Sequence, residues 1–143
     1  MLEDQIALLI DRLIRHAHTS LHQRTKGLAT ERVQPSDGVL LIALGEIGPT
    51  PINQLAERLA RHKSQVTRSI QKLEHEGLIR RTSSTHDARV SLLELSERGI
   101  EITDTLRHEV NQTLKELLAP LSNQERKNLR DLLQKALNRE PPK

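Results

Sequence analysis

Apolar residues recur at three- and four-residue steps toward both ends of the chain. Near the start, Leu2, Ile6, Leu9, Leu13, Ala17 and Leu21 fall on one helical face, and Ile10 and Ile14 broaden the stripe. This predicts one long amphipathic helix to about Lys26-Gly27, where Gly27 can take a left-handed cap conformation. Toward the other end, Ile102, Leu106, Val110, Leu114, Leu117 and Leu118 form a second stripe, stopped by Pro120. Ser122, with Glu125 three residues on, has the register of a capping box for a last helix. Leu129, Leu132, Leu133, Ala136 and Leu137 make its apolar face, and Pro141-Pro142 mark its end.

Shorter elements fill the middle. Pro35-Ser36-Asp37 opens a helix with Val39, Leu40, Ala43 and Leu44 inward, stopping near Gly45 to Gly48. Thr50 reads as an N-cap with Pro51 at the first helical position, followed by Ile52, Leu55, Ala56 and Leu59 on one face. After a break at Ala60-Arg61-His62, another helix turns Val66, Ile70 and Leu73 inward. Gly77 ends it in Schellman fashion, with Leu78 folding back on Leu73. The period then changes. Leu78 to Thr82 and Val90 to Leu95 are short β-prone runs joined by a polar, charged loop, which predicts a hairpin. The expected fold is mainly α with a small β-hairpin: a winged helix-turn-helix flanked by long terminal helices. One domain spans 1–143, with the winged lobe over about 35–98 and the terminal helices over about 2–26 and 99–139.

Composition narrows the function classes. A chain of 143 residues suffices for one domain and not for two sizeable ones. It has no Phe, Tyr or Trp, so the core is aliphatic and none of those rings is available to stack on single-stranded bases. It also has no Cys, which excludes thiol catalysis and thiol redox switching. The apolar run from Ile6 to Ile10 is too short for a signal-peptide core or a membrane span, so a cytoplasmic protein without a membrane partner is expected. The net charge of +3 is modest, but residues 61–91 carry seven Lys/Arg against three Asp/Glu, and residues 31–60 are net acidic. That concentration suits a phosphate-facing surface.

A helix-turn-helix followed at once by a hairpin has a direct use. Its second helix is narrow enough to enter the major groove of DNA. With Val66, Ile70 and Leu73 inward, the opposite face presents Ser64, Gln65, Thr67, Arg68, Gln71 and Lys72. Gln and Arg can make paired contacts to adenine and guanine edges, whereas Lys63 and Ser64 at the helix start suit phosphate. An Arg at the wing tip can enter the minor groove, where negative potential concentrates. Two long end helices also expose more apolar stripe than a small lobe can cover, which points to self-association. The expected interface is Leu2, Ile6, Leu9, Leu13, Leu114, Leu117, Leu118, Leu129 and Leu133.

At these residues the sequence resembles the MarR family. The resemblance is carried by Leu55-Ala56-Glu57-Arg58-Leu59, Lys63-Ser64-Gln65-Val66-Thr67-Arg68 and the stretch from Leu73 to Arg81. It is extended by Asp87-Ala88-Arg89, matching an Asp-x-Arg wing, and by Leu95-Ser96-Glu97-Arg98-Gly99. It implies a homodimer with interlocked terminal helices, binding a pseudo-palindromic double-stranded operator as a repressor. The helix from about Lys63 to Glu76 would read bases, while Arg89 would enter the minor groove with Asp87 orienting it. A small-molecule effector would bind between the terminal helices and the lobe. Two positions depart from the family pattern. Ala88 stands where a basic residue is common, and the aromatics that often line the effector pocket are missing.

Other chemistries are thinner. His18 and His22 stand at i and i+4, a spacing that can hold a metal if His108 or a carboxylate joins them. No metal or other cofactor is assigned on that pair. Ser83, Ser84, His86 and Asp87 supply triad residue types in a hairpin tip without a scaffold to orient them, so no enzyme is expected. Beside the DNA-binding reading stand a helical protein-interaction module and a metal-responsive regulator.

Overall fold

The computed structural model describes residues 1–27 and 33–138. Its order is α1 (Leu2–Thr25), α2 (Pro35–Ile47), α3 (Ile52–Leu59), α4 (Lys63–His75), β1 (Ile79–Ser83), β2 (Ser91–Leu95), α5 (Glu97–Leu117) and α6 (Asn123–Leu137). Pro141-Pro142, expected to end the last helix, lie outside the described residues.

The core forms where α2, α3 and α4 meet the hairpin and the first half of α5. Leu40, Leu41 and Leu44 come from α2, Leu55 and Ala56 from α3, and Val66, Ile70 and Leu73 from α4. Leu78, Ile79, Leu93, Ile102 and Leu106 close the cluster. All of its members but Ala56 are Leu, Ile or Val, as a chain without aromatics requires. β1 and β2 pair antiparallel from Ile79 opposite Leu95 to Ser83 opposite Ser91. α5 packs against α2 and β2 and then runs on beside α1.

Local chemistry explains the boundaries. At the end of α4, Gly77 has φ +78°, Leu78 N–H donates to Leu73 C=O at 2.9 Å, and Gly77 N–H donates to Glu74 C=O at 3.0 Å. This is the complete Schellman pair expected from Gly77. At α6, Ser122 Oγ accepts from Glu125 N–H at 3.1 Å, and the Glu125 carboxylate accepts from Ser122 N–H at 2.9 Å. The capping box is formed as its register implies.

Two sequence expectations are corrected. Thr50 is not the N-cap of α3: Pro51 takes that position, and its carbonyl receives the first helical bonds from Gln54 and Leu55. Thr50 is instead buried in a bridge to Leu93, exchanging N–H···O bonds of 3.1 and 2.8 Å. Its β-branched side chain suits that extended backbone, and the bridge fastens the start of the helix pair to the wing. Val39 is half exposed rather than inward, whereas Leu41 is fully buried. α2 buries its other faces, and Val39 turns to a groove beside α1.

The stripes of the terminal helices are largely open in the single chain. Leu2, Ile6, Leu9 and Leu13 are each at least 44% exposed, as is Leu133 at 53%, and α6 buries no residue. Leu114 is also exposed, and Leu117, Leu118 and Leu129 are half-buried. No helix of the described residues is long and apolar enough to cross a membrane.

Candidate nucleic-acid interface

The α4 helix is gripped by Val66, Ile70 and Leu73, whose burial leaves Lys63, Ser64, Gln65, Arg68 and Gln71 exposed. Thr67 is half-buried and its hydroxyl donates to the Lys63 carbonyl at 2.8 Å, so its remaining capacity is as an acceptor. Lys72 behaves differently. Its Nζ donates to the buried Asp37 carboxylate of α2 at 3.1 Å. The α3–α4 turn holds Ala60 in the left-handed region at φ +52°, with Arg61 N–H donating to Ala56 C=O and Ala60 N–H to Glu57 C=O. That is a second Schellman pair, formed on Ala rather than Gly.

The turn also places a residue that sequence reading missed. Arg61 Nη1 donates to the Ser36 carbonyl at 3.0 Å. Arg61, Ser36 and Ser69 join Gln65 and Arg68 around an open polar concavity of about 370 Å³ beside α4. The charge of Arg61 was visible in the sequence, but its reach to α2, 25 positions away, was not.

On the wing, Asp87 and Arg89 are in direct contact. Asp87 Oδ1 accepts from the Arg89 backbone N–H at 3.0 Å and from Arg89 Nε at 3.2 Å. The Arg89 side chain is nevertheless 92% exposed at the hairpin tip. Val90 N–H donates to Asp87 C=O and Ser84 N–H to Val90 C=O, closing the loop between the strands. Ala88 is exposed between the pair.

The basic excess of residues 61–91 is therefore only partly available. Arg80 pairs with Glu94 at 2.7 Å, Arg81 with Glu74 at 2.9 Å, and Lys72 with Asp37. Among the described residues, Lys63 and Arg68 make no ion pair; Arg61 is tied to a carbonyl and Arg89 to Asp87. Unpaired positive charge thus collects along α4 and the turn before it, while the wing tip presents an exposed guanidinium that is paired with Asp87.

Behind the lobe, α1, α2 and α5 enclose an apolar cavity of about 90 Å³. Its walls include Leu21, Ile42, Leu106 and Val110, with His22, Thr25 and Gln34 as the polar groups. An adjoining hollow of about 150 Å³ shares Leu21, Val39 and Val110 and reaches His18. His18 and His22 thus both face this region. Among the described residues no group of three His, Asp or Glu is placed to hold a metal, and His108 does not complete such a set. Arg24 of α1 ties that helix to α5, pairing with Glu116 and lying 3.8 Å from Glu109.

Comparison with known proteins agrees with this geometry. The model of the MarR family matches residues 33–91, which contain α2, both helices of the pair and most of the wing. The chain is similar to two helix-turn-helix-type transcriptional regulators of Bacillus subtilis. It is 30% identical to YxaD over 106 residues, 74% of each chain. It is 30% identical to YdgJ over 86 residues, 60% of this chain and about half (52%) of that relative's length. Among solved structures, a probable transcriptional regulator from Pseudomonas aeruginosa superposes with a TM-score of 0.79 at 28% identity, covering 96% of this chain and 100% of that one. A mutant E. coli MarR complexed with operator DNA shares the fold, with a TM-score of 0.79 at 22% identity over 93% of this chain and 94% of that one. With a winged helix-turn-helix lobe, a wing built on Asp87 and Arg89, and these relatives, the chain belongs to the MarR family of transcriptional regulators.

Proposed function

We propose that this protein is a ligand-responsive repressor that binds a pseudo-palindromic duplex operator as a homodimer. The observation that carries the reading is the pairing, on one lobe, of a positive α4 face with an exposed guanidinium at the wing tip. Lys63 and Arg68 stand on the open face of α4 without acidic partners among the described residues, and Arg89 is held at the wing tip by Asp87. In this reading α4 enters the major groove, with Gln65, Thr67, Arg68 and Gln71 meeting base edges and Lys63 and Ser64 meeting backbone. Arg89 enters the adjacent minor groove. The structure complexed with operator DNA among those of the same fold supports the choice of duplex DNA as partner.

Homodimerisation is supported by the exposed leucines and isoleucines of α1, α5 and α6, because contiguous uncovered apolar surface marks an interface. A small-molecule effector is supported by the cavity between α1, α2 and α5. Gln34 and Gly38 line it, and they flank Ser36 and Asp37, which hold Arg61 and Lys72. An occupant there presses on the turn that holds the reading helix. The cavity has mostly aliphatic walls and no Phe, Tyr or Trp, the His22 imidazole being its one ring, so it suits an aliphatic effector better than a phenolic one. No cofactor enters this reading, and a cytoplasmic site of action follows from it.

The deciding experiment is selection of bound sequences from random duplex DNA by the purified protein, followed by salt titration of binding. An enriched twofold motif with half-sites about one helical turn apart is expected, with affinity falling steeply with salt. Recovery of no motif and no salt-dependent binding would leave the interaction-module reading in its place.

A further inference from the structure

Two consecutive residues at the start of α2 hold the two ends of the reading helix. The Ser36 carbonyl accepts from Arg61 Nη1 at 3.0 Å, just ahead of α4. The Asp37 carboxylate accepts from Lys72 Nζ at 3.1 Å, one turn before the end of α4. Asp37 is 3% exposed, so its charge is cut off from water and depends on that ammonium. Lys72 is one turn beyond Arg68 on the same side of the helix, and Arg68 and Gln65 share with Arg61 and Ser36 the concavity beside α4.

The apolar grip of Val66, Ile70 and Leu73 holds α4 against the core but is non-directional. Hydrogen bonds and ion pairs are directional. Two polar ties to adjacent residues of α2, one at each end of α4, set the roll of the helix about its own axis. We propose that Lys72 is a positioning residue, not a phosphate contact: its ion pair with Asp37, together with the Arg61–Ser36 bond, sets the angle at which Arg68 and Gln65 meet DNA. The inference rests on α4 being the DNA-reading helix and assigns to Lys72 a part opposite to the one its exposed-face register implies. It also makes Asp37, an acidic residue near a DNA-binding surface, a contributor to affinity.

The two parts differ in sign. A lysine that contacts phosphate is hindered by a neighbouring carboxylate, so Asp37→Asn would tighten DNA binding and steepen its salt dependence. A positioning lysine needs the carboxylate. Kd for the preferred duplex and for a scrambled duplex is measured across a salt series for the wild type, Asp37→Asn, Lys72→Met, Lys72→Arg and the paired replacement Asp37→Leu with Lys72→Met. The expected result is a loss of about tenfold on the preferred duplex for Asp37→Asn and for Lys72→Met, with little change on the scrambled one. The salt slope stays at the wild-type value, the paired replacement is no worse than either single variant, and Lys72→Arg binds within about threefold of wild type.

Tighter or unchanged binding by Asp37→Asn overturns the inference. So does a slope lower by about one unit per half-site in Lys72→Met. Should either single variant fail to fold, the paired replacement decides by its slope, because it leaves no buried charge unpaired. An unchanged slope with lost preference supports positioning, and a lowered slope overturns it. Absence of salt-dependent duplex binding by the wild type is a separate outcome: it removes the DNA-binding reading itself, and this inference with it.

Discussion

Arg68 and Arg89 occupy two ends of the lobe's polar surface and should respond to mutation differently. If Arg68 meets a guanine edge, Arg68→Ala weakens binding to the preferred operator by about 1–3 kcal/mol and relaxes preference at one position per half-site. If Arg89 enters the minor groove, it meets little base information, so Arg89→Ala weakens binding to most sequences and lowers the salt slope by about one unit per wing. Asp87→Ala should follow Arg89→Ala more mildly, because Asp87 holds both the backbone and the guanidinium of Arg89. Salt titrations of each variant on preferred and scrambled duplexes check this; unchanged affinity and slope for Arg89→Ala would remove the wing from the interface. The same residues show what the sequence could convey. Arg68, Gln65 and Gln71 are exposed as a 3.6-residue period implies, and Asp87 lies beside Arg89 because they are two positions apart. Lys72 falls on the polar side of the same period, yet its partner Asp37 is 35 positions away. Periodicity says which way a side chain leaves its helix and nothing of what another element brings to meet it.

Backbone positions in the lobe carry their own expectations. Ala60 sits at φ +52° in a helix-ending turn, a conformation that is sterically unfavourable for any residue with a Cβ. Ala60→Gly should stabilise the fold by up to about 1 kcal/mol, the relief of strain being partly offset by glycine's greater freedom in the unfolded chain. Gly99 is the reverse case. A Cβ there would overlap the Leu78 carbonyl, which accepts from Ser96 N–H at 3.0 Å. Ser96 also caps α5 by accepting from Gly99 N–H and donates to the Gly77 carbonyl at 2.6 Å. Gly99→Ala therefore forces backbone apart where α4, the wing and α5 meet, and should destabilise by about 1–3 kcal/mol. Urea denaturation of the two variants against wild type reads both shifts; opposite signs are expected.

At the scale of elements, α6 shows how local chemistry sets behaviour with pH. The Glu125 carboxylate is held below the ordinary glutamate range, chiefly by the Ser122 backbone N–H and then by the Ser122 hydroxyl. Glu116, paired with Arg24, is lowered in the same direction, first by the hydrogen bond and then by the charge. A carboxyl whose folded pKa is depressed adds stability that is fully present above its unfolded value and is lost as pH falls through the folded one. Glu125→Gln keeps an acceptor for the capping bond but cannot titrate. Its melting temperature should fall less than that of wild type as pH drops below the ordinary glutamate range. Equal pH dependence in melting curves would show the capping carboxylate makes no difference. The capping box was legible from Ser122 and Glu125 alone because all its partners lie within four residues. The same holds for the Gly77 turn. The elements misjudged were those decided at a distance: Thr50 had good N-cap chemistry, but its backbone was claimed by Leu93, 43 positions away, and Val39 had the right period but lay on the side of α2 that faces α1.

For the whole molecule, the question is what covers the terminal helices. The buried core belongs almost wholly to the lobe and the first half of α5. Outside it, Leu2, Ile6, Leu9 and Leu13 on α1 and Leu132, Leu133 and Leu137 on α6 are all exposed in the single chain. In a monomer, Leu9→Asp and Leu133→Asp would exchange one solvent-facing side chain for another and change stability by no more than about 0.5 kcal/mol. In a homodimer the same two residues are expected to lie at the interface, and each substitution places unpaired charges there, against a penalty of several kcal/mol. The two structural hypotheses therefore predict opposite results from one pair of variants. We expect the wild type to sediment as a dimer at micromolar concentration, with a melting temperature that rises with protein concentration. The combined Leu9→Asp, Leu133→Asp variant should sediment as a monomer or unfold, and it should lose the twofold operator preference even though α4 and the wing are untouched. A wild type that sediments as a folded monomer, with a melting temperature independent of concentration and unaffected by either substitution, would end the dimer reading and with it the palindromic operator.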